Sequence, residues 1–346
     1  MTAVSVAERT DTTRRTGASG RKRGTHGYLP FLRRLATRFV TLVLVLFIVS
    51  VLAFLLGVLG PGDPIEAQYG NTLDQAQLDA LRDAYGLNDP LVTRYLNWVG
   101  ALFTAGGGTS LITGRAVFDV LGPAFLNTIV LTVASGIVFL VLGTLIGLVA
   151  GYYHGTWIDR GVMFVVQIGS NLSVYWFGLV LVSVFALRLQ WLPVGGMASR
   201  GSGGFPDLLA HLVLPSFSAA LISLLVLARF VRIGVVRESS SGYYRLFRSQ
   251  GFSRAGLLRS NVLRNTLPSI VTISGLEVGT LITGVFFVEI VFNWPGIGTQ
   301  LVNAVNSQDY PVIQTGIVLV SACYLVINLF TDLIVDALNP RLRRAS

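Results

Sequence analysis

Six apolar runs, each near the ~20 residues a helix needs to cross a ~30 Å hydrocarbon core, constrain this chain more than any other feature. They lie at Phe39–Gly60, Leu126–Gly151, Val162–Leu187, Leu212–Val236, Ser269–Phe292 and Val312–Val335. Unpaired backbone groups are too costly in lipid for any other conformation, so each run is expected to be a helix. The expected fold class is an all-α integral membrane protein with six transmembrane helices. Only 12% of the 346 residues are charged, about half the share found in soluble domains. That argues against a soluble enzyme and against a disordered chain.

Charge placement orients the spans. Residues 1–38 carry eight arginines and Lys22 against Glu8 and Asp11. The segment Arg237–Pro268 carries six arginines against Glu238, and the chain ends in a basic Arg341-Leu342-Arg343-Arg344 run. The loop after the first run has seven acidic residues and three arginines, and the loop after the fifth has Asp309 and no basic residue. Both termini are therefore expected in the cytoplasm. The net charge of +9 reads as topology; it carries no aromatic-interleaved basic module, and no nucleic-acid partner is expected.

The expected organisation is a disordered basic cytoplasmic tail at 1–38, the first transmembrane helix at 39–60 and an extracytoplasmic loop at 61–125. A core of five further spans occupies 126–338, with a cytoplasmic loop at about 237–268, and the cytoplasmic C-terminus is 339–346. The polar lead is too long for a signal peptide, so the first span is expected to remain as an anchor. Leu73–Tyr85 inside the acidic loop reads as helical. That loop is either a small external scoop or a solvated cap.

Several chemistries lack their residues. His26, His154 and His211 do not cluster, no H-E-x-x-H helix exists, and Cys323 is alone, so no metal site is expected. No G-x-S-x-G elbow occurs. A nucleotide-cradling P-loop needs Gly-Lys-Ser/Thr, whereas the single lysine, Lys22, lies between Arg21 and Arg23. Any use of ATP must rely on another subunit.

Charges inside the spans are functional candidates by default. Arg229 and Arg232 lie near the cytoplasmic end of span four, where the bland reading is snorkelling to the interface. Asp332 and Asp336 share a face of span six, as interfacial groups or as partners for arginines. Glu289 lies about one turn from the external end of span five, where exposure is the bland reading. Glu277 lies about 12 Å deep at 1.5 Å per residue; it either lines a pathway or makes a structural hydrogen bond.

The most informative loop is Arg237-Glu238-Ser239-Ser240-Ser241-Gly242-Tyr243-Tyr244-Arg245-Leu246-Phe247-Arg248-Ser249-Gln250-Gly251. Its Ser/Gly lead can start a helix. Tyr243, Leu246 and Phe247 form a short apolar stripe, and Gly251 permits a sharp stop. The helix either lies on lipid headgroups or enters a groove on a soluble partner.

Here the residues resemble the membrane permease subunits of binding-protein-dependent ABC importers, in the dipeptide/oligopeptide/nickel subfamily. That family carries an E-A-A-x3-G coupling loop, in this subfamily similar to D-Y-V-R-T-A-R-A-K-G. Tyr243, Arg245, Arg248 and Gly251 match it; Phe247 stands where the family has alanine. Pro61-Gly62-Asp63-Pro64 matches P-G-D-P, and His211-Leu212-Val213-Leu214-Pro215 matches H-L-I-L-P. Arg229 and Arg232 match R-x-x-R, and Leu263-Arg264-Asn265 matches L-R-N. Phe287-Val288-Glu289 through Trp294-Pro295-Gly296-Ile297-Gly298 is very like V-E-x-I-F-x-W-P-G-L-G. Asp309-Tyr310-Pro311 and Asn339-Pro340-Arg341 complete the set. The family's G-D-L-G-x-S is degraded to Gly106-Gly107-Gly108-Thr109-Ser110, Ser173 replaces the usual proline of span three, and Glu277 a usual glutamine.

The resemblance implies a type I, MetI-like six-helix permease that pairs with a second homologous permease, a heterodimer. Two ABC ATPase subunits dock below and an extracytoplasmic solute-binding protein above. This chain would bind no cofactor; ATP and magnesium belong to the ATPases. It implies a bacterial or archaeal plasma membrane and import of peptides or similar small polar solutes by alternating access. The expected coupling residues are Tyr243, Tyr244, Arg245, Phe247, Arg248 and Gly251. The candidate pathway or gate residues are Glu277, Glu289, Trp294, Pro295 and Gly296. For Trp294 the bland reading is an aromatic-belt anchor before a tight turn. The competing classes are a secondary active transporter working without an ATPase, which would carry interrupted paired helices or an acid/histidine relay, and a membrane-embedded enzyme.

Overall fold

The computed structural model describes residues 29–60, 64–70, 72–199 and 204–338. The basic tail to residue 28, Pro61, Gly62, Asp63, Pro340 and Arg341 lie outside these. Contacts divide the chain into a first unit through Val43 and a second from Leu44 onward, and the helical core is built within the second.

Among the described residues the structure is all-helical. Five helices are long and apolar enough to cross a membrane, and a bent pair makes a sixth candidate. The first long helix is α1 (Leu29–Leu59). Three short helices come next, in the acidic segment: α2 (Pro64–Tyr69), α3 (Gln75–Ala84) and α4 (Leu91–Thr104). The expected helix of that loop is α3. Its start is fixed by a capping box: Asp74 accepts from the Gln77 backbone N–H, and the Gln77 side chain accepts from the Asp74 N–H, satisfying two otherwise unpaired groups.

The next long helix, α5 (Val117–Tyr152), begins nine residues before the apolar run at Leu126. Hydropathy marks only long apolar stretches, and polar Asp119 with Gly122 and Pro123 hides the first turns. The central helix, α8 (Phe205–Ser239), buries sixteen of its residues. It can approach α5 closely because α5 presents Gly143, Gly147 and Gly151 at four-residue spacing. A Cβ on Gly143 would stand 2.9 Å from the Leu224 carbonyl oxygen, and one on Gly151 2.6 Å from Val235 Cβ. Small residues at such a seam let backbones pack where lipid offers no hydrophobic drive. Around it Phe139, Leu224, Leu227, Val231, Val235 and Leu281 form the largest apolar cluster.

The third apolar run is not one helix, as the sequence suggested. It divides into α6 (Trp157–Gly169) and α7 (Val174–Leu181), continued by a π-helical stretch over Val182–Arg188, and the halves meet at 109°. The break at Ser170–Ser173 is satisfied locally: Ser170 Oγ donates to the Val166 carbonyl and Asn171 Nδ2 to that of Gln167. Short polar side chains compete for backbone groups in this way.

Beyond α8 come the short α9 (Gly242–Ser249) and α10 (Arg254–Leu257), a π-helical turn at Leu258–Val262, and the long α11 (Leu263–Val291). The chain closes with α12 (Ile297–Asn306) and α13 (Tyr310–Leu338).

Candidate functional site

The stretch after α8 folds as its residues require. Ser241 accepts from the Tyr244 N–H at the start of α9, and Gly251 adopts φ +92°, which L side chains rarely tolerate. The apolar stripe is divided in use. Tyr244 packs against the large apolar cluster. Phe247 lies edge-on to both Tyr243 and Phe252, which is what replaces the family's alanine. Leu246 remains 57% exposed, with Arg245 and Arg248 exposed beside it.

A polar triangle braces this helix. Tyr243 OH donates to Glu238 Oε2 at 2.6 Å, and Asn265 Nδ2 donates to Tyr243 OH at 3.1 Å and to Glu238 Oε2 at 3.3 Å. It ties α9 to the end of α8 and the start of α11. Burial and the Glu238 hydrogen bond raise the Tyr243 pKa above its ordinary value, so the phenol stays a donor. Sequence reasoning missed the tie to Glu238; its signal was Glu238 standing as the one acid among six arginines. Arg264 is exposed and enters no part of the triangle.

Arg232 departs from the snorkelling reading. Its guanidinium grips Asp159 of α6 with two nitrogens, Nε to Oδ1 and Nη2 to Oδ2 at 2.8 Å. Asp159 is 3% exposed and also accepts from the Gly155 N–H, with His154 Nδ1 3.0 Å away. A buried carboxylate persists only with such partners. Asp159 lies three residues ahead of the apolar run, outside any count of charges within the spans. Arg229, by contrast, is exposed.

At the other end of α11, Glu289 is fully buried, contrary to the exposure its position suggested. Oε1 accepts from Thr128 Oγ1 at 2.6 Å and Oε2 from the Gly298 N–H at 2.7 Å. Its backbone carbonyl accepts from the Trp294 N–H at 2.9 Å and Thr299 Oγ1 at 3.1 Å. The carboxylate thus caps the N-terminus of α12 from another helix, where unpaired N–H groups favour an anion. Thr128 Oγ1 accepts in turn from the Ile297 N–H. A Cβ on Gly296 would fall on the Glu289 carboxylate, and one on Gly298 would be 2.8 Å from Oε2. Trp294 is fully buried rather than an interfacial anchor; its Nε1 donates to the Asn127 carbonyl, and Asn127 Nδ2 donates to that of Pro295.

Two further motif residues are structural anchors. Buried His211 of α8 places Nδ1 3.1 Å from the Gly196 carbonyl and Nε2 3.1 Å from Ser199 Oγ; Pro215 lies buried one turn on, inside the helix. Asp309 accepts from Ser110 Oγ and from the Leu111 N–H. The glycine run before Ser110 turns through φ +64°, +83° and +87° at Gly106, Gly107 and Gly108, so the degraded motif still delivers its serine.

Glu277 differs from Glu289. It is half-buried, and its Oε2, like Ser274 Oγ three residues away, has no hydrogen-bond partner among the described residues.

Comparison with known proteins reaches from residue 31 to residue 344. A family described as binding-protein-dependent transport system inner membrane component matches residues 143–344, and its N-terminal companion matches 31–140. The chain is 34% identical to the di/tripeptide transport system permease protein DppB of Pseudomonas aeruginosa (strain UCBPP-PA14), covering 89% of this chain and 98% of the relative. It is 34% identical to the glutathione transport system permease protein GsiC of Escherichia coli (strain K12), covering 88% and 97%. Among solved structures, the inward-facing MetNI methionine ABC transporter superposes with a TM-score of 0.51 at 18% identity, over 64% of this chain and 97% of that one.

Proposed function

Because the chain belongs to the family of inner membrane components of binding-protein-dependent transport systems, we propose that it is the permease for peptides or similar small polar solutes in an ATP-driven importer. It pairs with a second homologous permease, receives solute from an extracytoplasmic binding protein, and is driven by two ABC ATPase subunits holding ATP and magnesium. Both termini lie in the cytoplasm, and six spans cross a bacterial or archaeal plasma membrane, the bent α6–α7 pair counting as one.

The observation that carries this reading is α9. It presents Arg245, Leu246 and Arg248 outward from a base fixed by the Tyr243–Glu238–Asn265 triangle. A helix held rigidly by one face and left open on the other suits insertion into a partner's groove. The single lysine, Lys22, agrees with ATP chemistry residing elsewhere. Tyr243, Tyr244 and Phe247 then build the coupling element, Arg245 and Arg248 meet the ATPase, and Gly251 ends it. Glu277 is the acid with capacity left for a solute or a water. Glu289, Trp294, Pro295 and Gly296 border the path as its fixed frame.

The test is co-expression with a candidate ATPase pair and second permease. Co-purification and ATP-dependent peptide uptake in proteoliposomes support the reading. Uptake by this chain alone, driven by an ion gradient, replaces it with a secondary transporter. Should Glu277 line the path, Glu277→Gln changes solute preference or rate at constant abundance.

A further inference from the structure

The acidic segment does not simply stand in water above the spans. We propose that α4 lies in the membrane, within the leaflet entered by the Leu59 end of α1, as an interfacial helix whose outer occupant is lipid. This goes beyond the transport reading and rests only on the long apolar helices being spans.

Depth is the first argument. Tyr95 OH of α4 lies 2.8 Å from Ser50 Oγ, and Ser50 is nine residues before the last residue of α1, about 13 Å down the helix at 1.5 Å per residue. The Tyr95 and Trp98 rings pack on Phe54, centroids 5.4 and 6.1 Å away. Trp98 Nε1 donates to Thr315 Oγ1 at 3.4 Å, five residues inside α13, about 8 Å from its start. Four contacts to two long helices thus place α4 alongside the apolar stretches rather than beyond their ends.

The second argument is how α4 divides its surface. Tyr95 and Trp98 face the spans. Val92, Leu96 and Phe103 form a stripe at 70%, 61% and 85% exposure. Thr93, Asn97 and Thr104 are also exposed and repeat that stripe one residue on, about 100° round the helix. Beside this polar edge a cavity of about 610 Å³ is lined by Arg94, Asn97, Arg82, Tyr310 and Gln314. Apolar on one flank, polar on the next and aromatic against the spans is the division an interfacial helix requires. The apolar flank is of a kind with the exposed Leu52, Leu56 and Leu59 of α1, which lie on a helix long and apolar enough to span.

The test places single spin labels on the chain in lipid nanodiscs, in a Cys323→Ser background, at Leu96→Cys, Phe103→Cys, Thr93→Cys and Thr104→Cys. Dissolved oxygen concentrates in lipid and a water-soluble nickel chelate in water. The expected result is collision favouring oxygen at 96 and 103 and nickel at 93 and 104, a change of sign in the log ratio. Nickel access at 96 and 103 equal to that at 93 overturns the proposal in favour of water. Low access to both reagents there overturns it in favour of a covering protein. Should the cysteine-free chain fail to fold, photoreactive benzoylphenylalanine replaces Phe103 in the native background. A phospholipid adduct by mass supports the proposal, and a protein adduct or none overturns it.

Discussion

The two ends of α11 are built on opposite principles. At the Glu289 end the carboxylate and the indole both find their partners within the chain, and the largest side chain, Trp294, is fully buried. At the α9 end a similar investment in hydrogen bonds holds a helix whose outer residues stay exposed. The first end finds its hydrogen-bond partners within the chain; the second holds an exposed face on a fixed base, which the proposed coupling role would give to a partner. Substitutions at the first should therefore act on folding, and at the second on assembly and coupling.

The largest effect is expected from Gly296→Ala. The added Cβ falls on the Glu289 carboxylate, so the turn or the cap must break, at about 3 kcal/mol or more. Membrane abundance and thermal stability in detergent should collapse; native stability would show that the turn yields freely. Next is Arg232→Ala, which strands the buried Asp159 carboxylate and should cost about 3 kcal/mol. Arg232→Ala combined with Asp159→Asn should recover part of that in a thermal melt, and a fully additive pair would deny the interaction. Tyr243→Phe removes one hydroxyl serving Glu238 and Asn265 and should cost about 1 kcal/mol, while lowering transport per ATP hydrolysed more than abundance. Unchanged coupling would make the triangle mere local packing. Smallest in stability is Leu246→Ala, within about 0.5 kcal/mol, yet it should weaken ATPase co-purification. Retained ATPase with a destabilised permease would invert the contrast between the two ends.

Much of this was legible in sequence, for identifiable reasons. Apolar length located the five long apolar helices and the bent pair because a bilayer would impose that length, and α9 was visible because its cap, its stripe and Gly251 are neighbours in the chain. The bend between α6 and α7 was not, since Ser170, Asn171 and Ser173 scarcely lower the mean over a long window. Glu289 misled because depth along its own helix says nothing of Thr128, 161 residues away, or of the α12 terminus folding back on it. Asp159 was hidden because it precedes the apolar run. Partners remote in sequence leave no local trace, and the buried acids depend on them.

The Glu289 cap also bears on how such a chain can change over generations. The carboxylate occupies the volume that side chains at 296 and 298 would claim, and it holds the N–H that opens α12. Acid and glycines are therefore heritable as a set. An alanine at 296 arriving first meets the carboxylate, and a loss of the acid arriving first strands the donors. If Gly296→Ala proves as damaging as expected, a one-step route away from the arrangement would pass through a damaged intermediate, and the three positions would be expected to change together.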